Sequence, residues 1–479
     1  MEFIDKDLVS VQESRILLEH AREARELLSG YTGRKLDEVL EAVYAAATRH
    51  IREFAGWSAE ETGYGCVEDE TRQLENLPDA LMKRLRTMKC IGVIDEDPLQ
   101  GLKDIGVPLG VAVILCPAVS PVAAVLSTAL ICIKSGNAAV FIPDRRAAKT
   151  VTGVVAIIQR AAVSAGYPSG GISCLETVSP SGCQAAIGHD EVSVLINLGV
   201  KKLLPYCYAA GKPVLYGSTG PSPVFIERTA DIARAAADIV TSRSFNCGMM
   251  PGAEQYVVVD SLVAGEAKQA MLAQGAYFMT GEEEEKLLSF LCPGGREMDE
   301  EYIGQPAVRL ARQAGFTVPA ETRILVSEKR YIADRNPYAR ELRCPVLAYY
   351  IEKDWMNACE RCMNLLVQES KGHTLVIHSR DEEVIGQFAM KKPVARMLVN
   401  TPAVYGAMGL TTNLFPAAGL GGLTAGLGIT ADNISPLNLV YRRKVGYGIR
   451  SIEKPAASGS SNKAVRQLLS ELIRELNNQ

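Results

Sequence analysis

The stretch SRSFNCGMMPGAEQ, residues 242–255, places one thiol, Cys247, in a loop interrupted by Gly248, Pro251 and Gly252. A cysteine in such a loop serves as a nucleophile when its pKa is depressed and hydrogen-bond donors face the charge that develops during attack. Pro251 follows Cys247 by four positions, a spacing that shares one face only if the loop is helical. Gly248 and Pro251 oppose a helix, so the plainer reading of Cys247 is a packed small residue. The close pair Cys359 and Cys362, in NACERCMN, has half the ligands of a zinc site. No second pair or histidine follows at matching spacing, and the two are expected on an ordinary helix.

A loop of this kind needs a rigid frame. Residues 10–55 contain two amphipathic helical patterns, VQESRILLEHAREARELLSG and LDEVLEAVYAAATRHIREFAG. From about Gly106 the pattern changes. GVAVILC, AAVFIPD, VSVLIN and KPVLYG are short apolar runs, separated by helical stretches. After the loop, EQYVVVD, TRILVSE, PVLAYYIE, HTLVIHS and ARMLVN repeat the alternation. Strands alternating with helices predict parallel sheets covered on both faces, an α/β protein in two domains.

The 479 residues are 47% apolar and 22% charged, the profile of a soluble globular chain. A net charge of −4 gives no general attraction for nucleic acid. The longest apolar stretch, from Val107, is broken by Pro117, Ser120 and Pro121, which argues against a membrane span. The acidic start, MEFIDKDLVSVQES, lacks a secretory pattern, and a cytoplasmic location is expected. The 12 cysteines are then expected as thiols.

The end of the sequence differs from the rest. EKPAASGSSN has linker composition, and KAVRQLLSELIRELNNQ follows with Asn462 as a candidate N-cap. Val465, Leu468, Leu469, Leu472, Ile473 and Leu476 fall on one helical face, the pattern of a docking helix.

The order of these segments resembles the aldehyde dehydrogenase superfamily, in its CoA-acylating branch. The landmarks are VPLGVAVILCP, IKSGNAAVFIPDRRAAK, AAGKPVLYG, ADIVTSRSFN, GAEQYVVVD, GQPA, AGFTVP, KGHT and VNTPA. The resemblance implies a Rossmann-like cofactor domain (1–226), an α/β catalytic domain (227–430) and an oligomerisation β-arm (431–453). A linker (454–462) and an amphipathic targeting helix (463–479) complete the chain. It also implies a reaction: aldehyde, CoA and NAD give acyl-CoA and NADH through a cysteine thioester, with an Asn holding the oxyanion.

Three positions depart from the family pattern. Counting from Phe245 and back from Glu254 puts Pro251 at the nucleophile position, and proline neither attacks nor donates. Cys247 is the candidate substitute. Ser120 stands where the family has the oxyanion Asn, and losing a well-placed donor costs about a hundredfold or more in rate. The cofactor loop, rich in glycine in the family, reads LGVKK and keeps only Gly199, leaving Val200 and Lys202 to crowd the nicotinamide. Other positions match. Glu341, in RELRCP, takes the place of the ribose-binding Glu. Pro143 and Arg145, in IPDRR, fall near the adenosine half, where an arginine suits phosphate. His373 matches a catalytic-domain His, for which a structural role is the plainer reading.

The expectation is thus an acylating aldehyde dehydrogenase-like protein of impaired activity. The alternative is a silent paralogue that partners an active enzyme. The cofactors implied are NAD, weakly bound, and CoA, and the substrate is a short-chain aldehyde or none. The tail resembles the encapsulation peptides of bacterial microcompartments. It implies a shell or an active paralogue as docking partner through residues 463–476, and YRRKVGYGIRSIE implies a homo- or hetero-oligomer.

Overall fold

The computed structural model describes residues 5–217, 219–295, 297–333, 336–368, 373–422, 428–450 and 461–476. Two parallel sheets organise the body. The first has five strands in the order Ile172–Cys174, Ala138–Pro143, Val111–Cys116, Val192–Asn197, Val214–Tyr216. Val111–Cys116 and Ala138–Pro143 are buried at every residue, as continuous apolar runs in a doubly covered sheet must be. Helix Pro121–Lys134 is also buried all round, which its sequence PVAAVLSTALICIK permits because it carries one charge. That charge, Lys134, reaches Asp37 at 2.5 Å.

The second sheet has seven parallel strands, with Val346–Glu352, Glu254–Asp260 and Ser222–Ile226 at its centre. Ser222–Ile226 pairs with Glu254–Asp260 and Thr374–His378. The division between the sheets therefore falls before residue 222, and not at 226 as read from the sequence. The SPVFI run follows Gly220 and Pro221 closely, so its apolar signal merges with that of the preceding strand.

Four helices precede the first sheet: Lys6–Leu28, Gly33–Arg49, Ile51–Thr62 and Val67–Leu85. The second apolar pattern is two helices, because His50 leaves helical geometry. The last helix contains Pro78 and opens with Glu68, Asp69 and Glu70, carboxylates suited to a helix N-terminus. Cys359 and Cys362 lie on helix Trp355–Leu366, where Lys392 Nζ donates to the Cys359 carbonyl and sulfur. A three-stranded antiparallel sheet is separate from the two parallel sheets. In it, Leu102–Pro108 pairs with Gly92–Asp97 and with Val440–Gly446, the strand of the expected arm. Asp104, 3% exposed, ties the arm down through Arg442 and Lys444.

The terminal helix spans Ser461–Leu476, so it starts one residue ahead of Asn462. All six residues of its apolar face are more than half exposed. The expected linker lies, up to residue 460, outside the described residues. Among the described residues no helix is long and apolar enough to cross a membrane, and no group of His, Cys, Asp and Glu is placed to hold a metal.

Candidate functional site

Helix Ile232–Ser244 runs into the loop, where the backbone turns left-handed three times in succession. The φ values are 48° at Asn246, 52° at Cys247 and 72° at Gly248. Asparagine tolerates this region, cysteine does so under strain, and Gly248 is required because a Cβ there would meet the Cys344 carbonyl. The start of helix Val67–Leu85 holds the turn. The Asn246 N–H donates to Asp69 (2.8 Å), its side-chain N–H donates to Glu70 (2.8 Å), and its carbonyl oxygen accepts from the Cys66 N–H (2.9 Å). Glu70 is 2% exposed. Burial pushes its carboxyl up to about 7, against the lowering effect of its hydrogen bonds with Asn246 and Ser58.

This turn sets the direction of Cys247. The neighbouring Cys66 thiol and then burial raise its pKa. Cys66 moves the other way. The neighbouring Cys247 thiol outweighs burial and lowers its pKa. Cys247 does not line the cavity at the centre of the site. Pro251 does, together with Ser120, Leu198, Met249, Met250, Met408 and Leu420, around a volume of about 50 Å³. None of its lining residues is a cysteine. Ser120 is left-handed (φ 44°) at the start of helix Pro121–Lys134, and its hydroxyl is turned to the Met250 sulfur at 3.2 Å. That bond to a weak acceptor takes the hydroxyl away from an oxyanion role.

His373 is buried beside the loop, and a Cβ on Gly252 would lie 3.2 Å from its ring. Its Nδ1 meets Thr374 (2.7 Å) and Arg396 (3.0 Å), while Nε2 has no partner among the described residues. Burial, then Arg396, pushes its pKa down to about 3, so the ring is neutral. Lys371 and Gly372, just before it, lie outside the described residues.

A cleft of about 210 Å³ shares Gly199, Glu341 and Arg343 with the central cavity. It continues through Asp144, Val200 and Lys202 into a cavity of about 300 Å³ lined by Pro143, Arg145, Ser179, Pro180 and Cys183. Gly199 needs its glycine, with φ at 91°. The Asn197 side chain pins Val200 through both its N–H and its carbonyl, at 2.7 and 3.1 Å. Lys202 reaches across to Asp144 (2.8 Å), and Arg146 reaches to Glu300 (3.3 Å) and over the Tyr64 ring.

Glu341 sits in a chain segment clamped by neighbours. Gln255 accepts from the Leu342 N–H, and Arg243 donates to the Leu342 carbonyl, both at 2.7 Å. The Glu341 carboxylate accepts from Gly220 N–H (3.1 Å) and Arg343 (3.2 Å). Burial raises its pKa, but Arg343, Lys201 and the Gly220 N–H prevail and hold it low. An ionised acceptor is therefore present, already in use. The outer cavity has room for a nucleotide and an exposed arginine, Arg145, in its lining. The inner end is lined by Val200 and Arg343, and its carboxylate, Glu341, is already engaged.

Sequence spacing brings Pro251, Ser120, Gly199 and Glu341 to one site, with His373 beside it. It does not reveal the anchor of Cys66, Asp69, Glu70 and Asn246, or Arg343. The available signal for Arg343 was its place two residues from Glu341, which puts both side chains on one face of extended chain. The anchor joins residues 176–180 positions apart and leaves no local signal.

The Aldehyde dehydrogenase family model matches residues 8–290. The chain is 29% identical over 443 residues to the bifunctional aldehyde-alcohol dehydrogenase AdhE of Escherichia coli K12. That match takes in 91% of this chain and 50% of AdhE, so the chain spans about half the length of the curated relatives it matches. It superposes on an acetylating aldehyde dehydrogenase from Geobacillus thermoglucosidasius with a TM-score of 0.91 and 32% identity, covering 94% of this chain and 100% of that one. A propionaldehyde dehydrogenase from the Clostridium phytofermentans fucose utilisation bacterial microcompartment shares the fold, with a TM-score of 0.81, 22% identity and coverage of 91% and 98%.

Proposed function

Since the chain belongs to the aldehyde dehydrogenase family, in its CoA-acylating branch, we propose that it is a nucleotide-binding member whose reaction centre carries out no thiol chemistry. The observation that carries this reading is Pro251 in the central cavity, with Cys247 outside its lining. Acyl transfer in this branch needs a thiolate at the aldehyde carbon and donors at its oxygen. Here Pro251 offers neither nucleophile nor N–H, and the Ser120 hydroxyl is spent on Met250. His373 is neutral beside the loop, but with its pKa pushed down to about 3 and its Nδ1 facing Arg396 it is a poor general base.

A nicotinamide dinucleotide, when bound, supplies a hydride acceptor. Pro143, Arg145, Ser179 and Pro180 would hold its adenosine half. No hydride step follows from the crowded nicotinamide end. CoA, the other cofactor of the branch, shares the adenosine and phosphate chemistry that this end suits.

Purified protein with NAD, CoA and aldehydes of two to four carbons should form NADH at background rates. Calorimetry should detect weak NAD binding that Arg145→Ala weakens further. Robust turnover that Cys247→Ala abolishes would overturn this reading and establish a relocated thiol. Tight NAD binding insensitive to Glu341→Ala would refute the crowded nicotinamide end.

The exposed stripe of helix Ser461–Leu476 supports a docking role, to a microcompartment shell or an active paralogue. A helix of this length is marginal alone in water, so its apolar face calls for a partner surface. A fluorescent fusion that localises identically with and without residues 455–479 would refute it.

A further inference from the structure

Away from the central cavity, helices Trp355–Leu366 and Glu382–Lys391 share one apolar cluster over the second sheet, with Phe225, Cys362, Leu365 and Phe388 in it. Lys392 follows the second helix directly and is 8% exposed. Among the described residues its nitrogen pairs with no carboxylate. It meets the Cys359 carbonyl and the Cys359 sulfur, both at 2.7 Å, and the Phe388 ring, 4.8 Å from its centre. A lysine is seldom buried unless a charged partner holds it there. Here the place of that partner is taken by a thiol.

We propose that Cys359 and Lys392 are a peroxide-responsive pair, in which the sulfenic acid formed on Cys359 is captured by the Lys392 amine as a covalent sulfur–nitrogen bond. Three observations support it. First, an N–H donor stands about 2.7–3.2 Å from oxygen, and sulfur is the larger atom, so 2.7 Å is close contact between amine and sulfur. Second, Cys359 is 8% exposed, where Cys362 one turn further on is at 0%. The pair thus sits at the rim of the cluster, within reach of a small neutral oxidant. Third, the Cys359 carbonyl holds the amine as well, so Nζ stays beside the sulfur while the sulfur reacts. The sulfurs of Cys174 and Cys207 meet neutral side chains instead, Thr152 at 3.6 Å and Asn197 at 3.9 Å. Neither Cys359 nor Lys392 lines the central cavity or the cleft, so this chemistry does not depend on the reaction centre.

The oxidant is hydrogen peroxide. The Cys359 sulfur attacks one peroxide oxygen. The O–O bond breaks, and hydroxide leaves with the electron pair and takes up the thiol proton as water. The sulfur is now a sulfenic acid. The Nζ lone pair attacks that sulfur, the S–O bond breaks, and the oxygen leaves as a second water with a proton from the amine. One thiol, one amine and one peroxide become one S–N bond and two waters. The sulfur loses two electrons and the peroxide gains them. The bond ties helix Trp355–Leu366 to the end of helix Glu382–Lys391 and closes a loop that contains strand Thr374–His378.

The test uses the full chain, treated with hydrogen peroxide, alkylated under denaturing conditions without reductant and mapped by peptide mass. The expected product joins the Cys359 and Lys392 peptides with the loss of two hydrogens, and dithiothreitol should release it. In Lys392→Gln the cross-link should be lost, and dimedone should trap a sulfenic acid on Cys359 that the wild type does not accumulate. Lys391→Gln, which alters the exposed neighbour, should leave the cross-link unchanged. A Cys359 that stays fully alkylated, a disulfide between Cys359 and Cys362, or a bond to Lys391 would overturn the proposal. The wild-type map stands even if Lys392→Gln folds poorly.

Discussion

Glu70 offers a sharp test of how the loop is anchored, because the replacement Glu70→Gln changes charge and almost nothing else. The carboxyl is 2% exposed, accepts from Asn246 at 2.8 Å and from Ser58 at 3.3 Å, and is pushed by burial from 4.5 up to about 7. A folded-state value above the unfolded one means that the folded chain holds the extra proton between pH 4.5 and 7. Its stabilising effect is then complete below the unfolded value and is lost as pH rises through the folded one. Raising a carboxyl from 4.5 to about 7 corresponds to about 3 kcal/mol. The glutamine side chain would mimic the neutral acid, its carbonyl accepting from Asn246 and its amide donating to Ser58, with no proton to lose. Melting temperatures of both proteins should be followed from pH 5 to pH 8. Glu254, also pushed up to about 7 by burial, titrates in both and cancels in the difference. The variant should gain on the wild type with rising pH by several degrees, since about 1 kcal/mol moves the melting temperature of a domain this size by about 2–4 °C. Parallel curves would refute a buried, proton-holding Glu70.

Other outcomes follow from the same geometry. Gly65 has φ +68°, and a Cβ there would overlap the Asn246 amide, so Gly65→Ala should cost about 2 kcal/mol or more, read from the denaturant midpoint. The His373 ring, held neutral down to about pH 3 by burial and Arg396, should show nitrogen chemical shifts that do not move between pH 8 and pH 5. Because its folded pKa lies below the usual histidine value, its contribution to stability is complete above that value and declines as pH falls. Leu469→Glu with Leu472→Glu, each replacing a residue 54% exposed, should leave the melting temperature within about 1 °C while abolishing any docking by the tail.

Both sheets were legible in the sequence where their strands are buried on both faces. VAVILC and the YVVV centre of EQYVVVD read as strands because nothing polar interrupts them. Helix Val67–Leu85 was not legible, since an acidic first turn and Pro78 mask its period. The hairpin strand Gly92–Asp97 was missed because its residues are exposed or half-exposed and carry no alternation. At the site, counting along the chain sufficed to put Pro251 in the cavity and Ser120 beside it. The direction of Cys247 was beyond reach. It depends on the left-handed turn at Asn246, and that turn is held by groups far away in sequence.

That distance has a consequence for how the molecule comes into being. The anchor of the loop lies in the first 85 residues, which emerge from the ribosome before the residues they must hold. The strand that follows the loop, Glu254–Asp260, pairs on one side with Ser222–Ile226 and on the other with Val346–Glu352. Gly248 packs on Cys344, just ahead of that later strand. Closing contacts over such spans costs entropy that local helices do not face. The loop therefore cannot reach its final turn from local sequence alone: it needs contacts with chain up to about a hundred residues beyond it, so its order reports on groups that are distant in sequence.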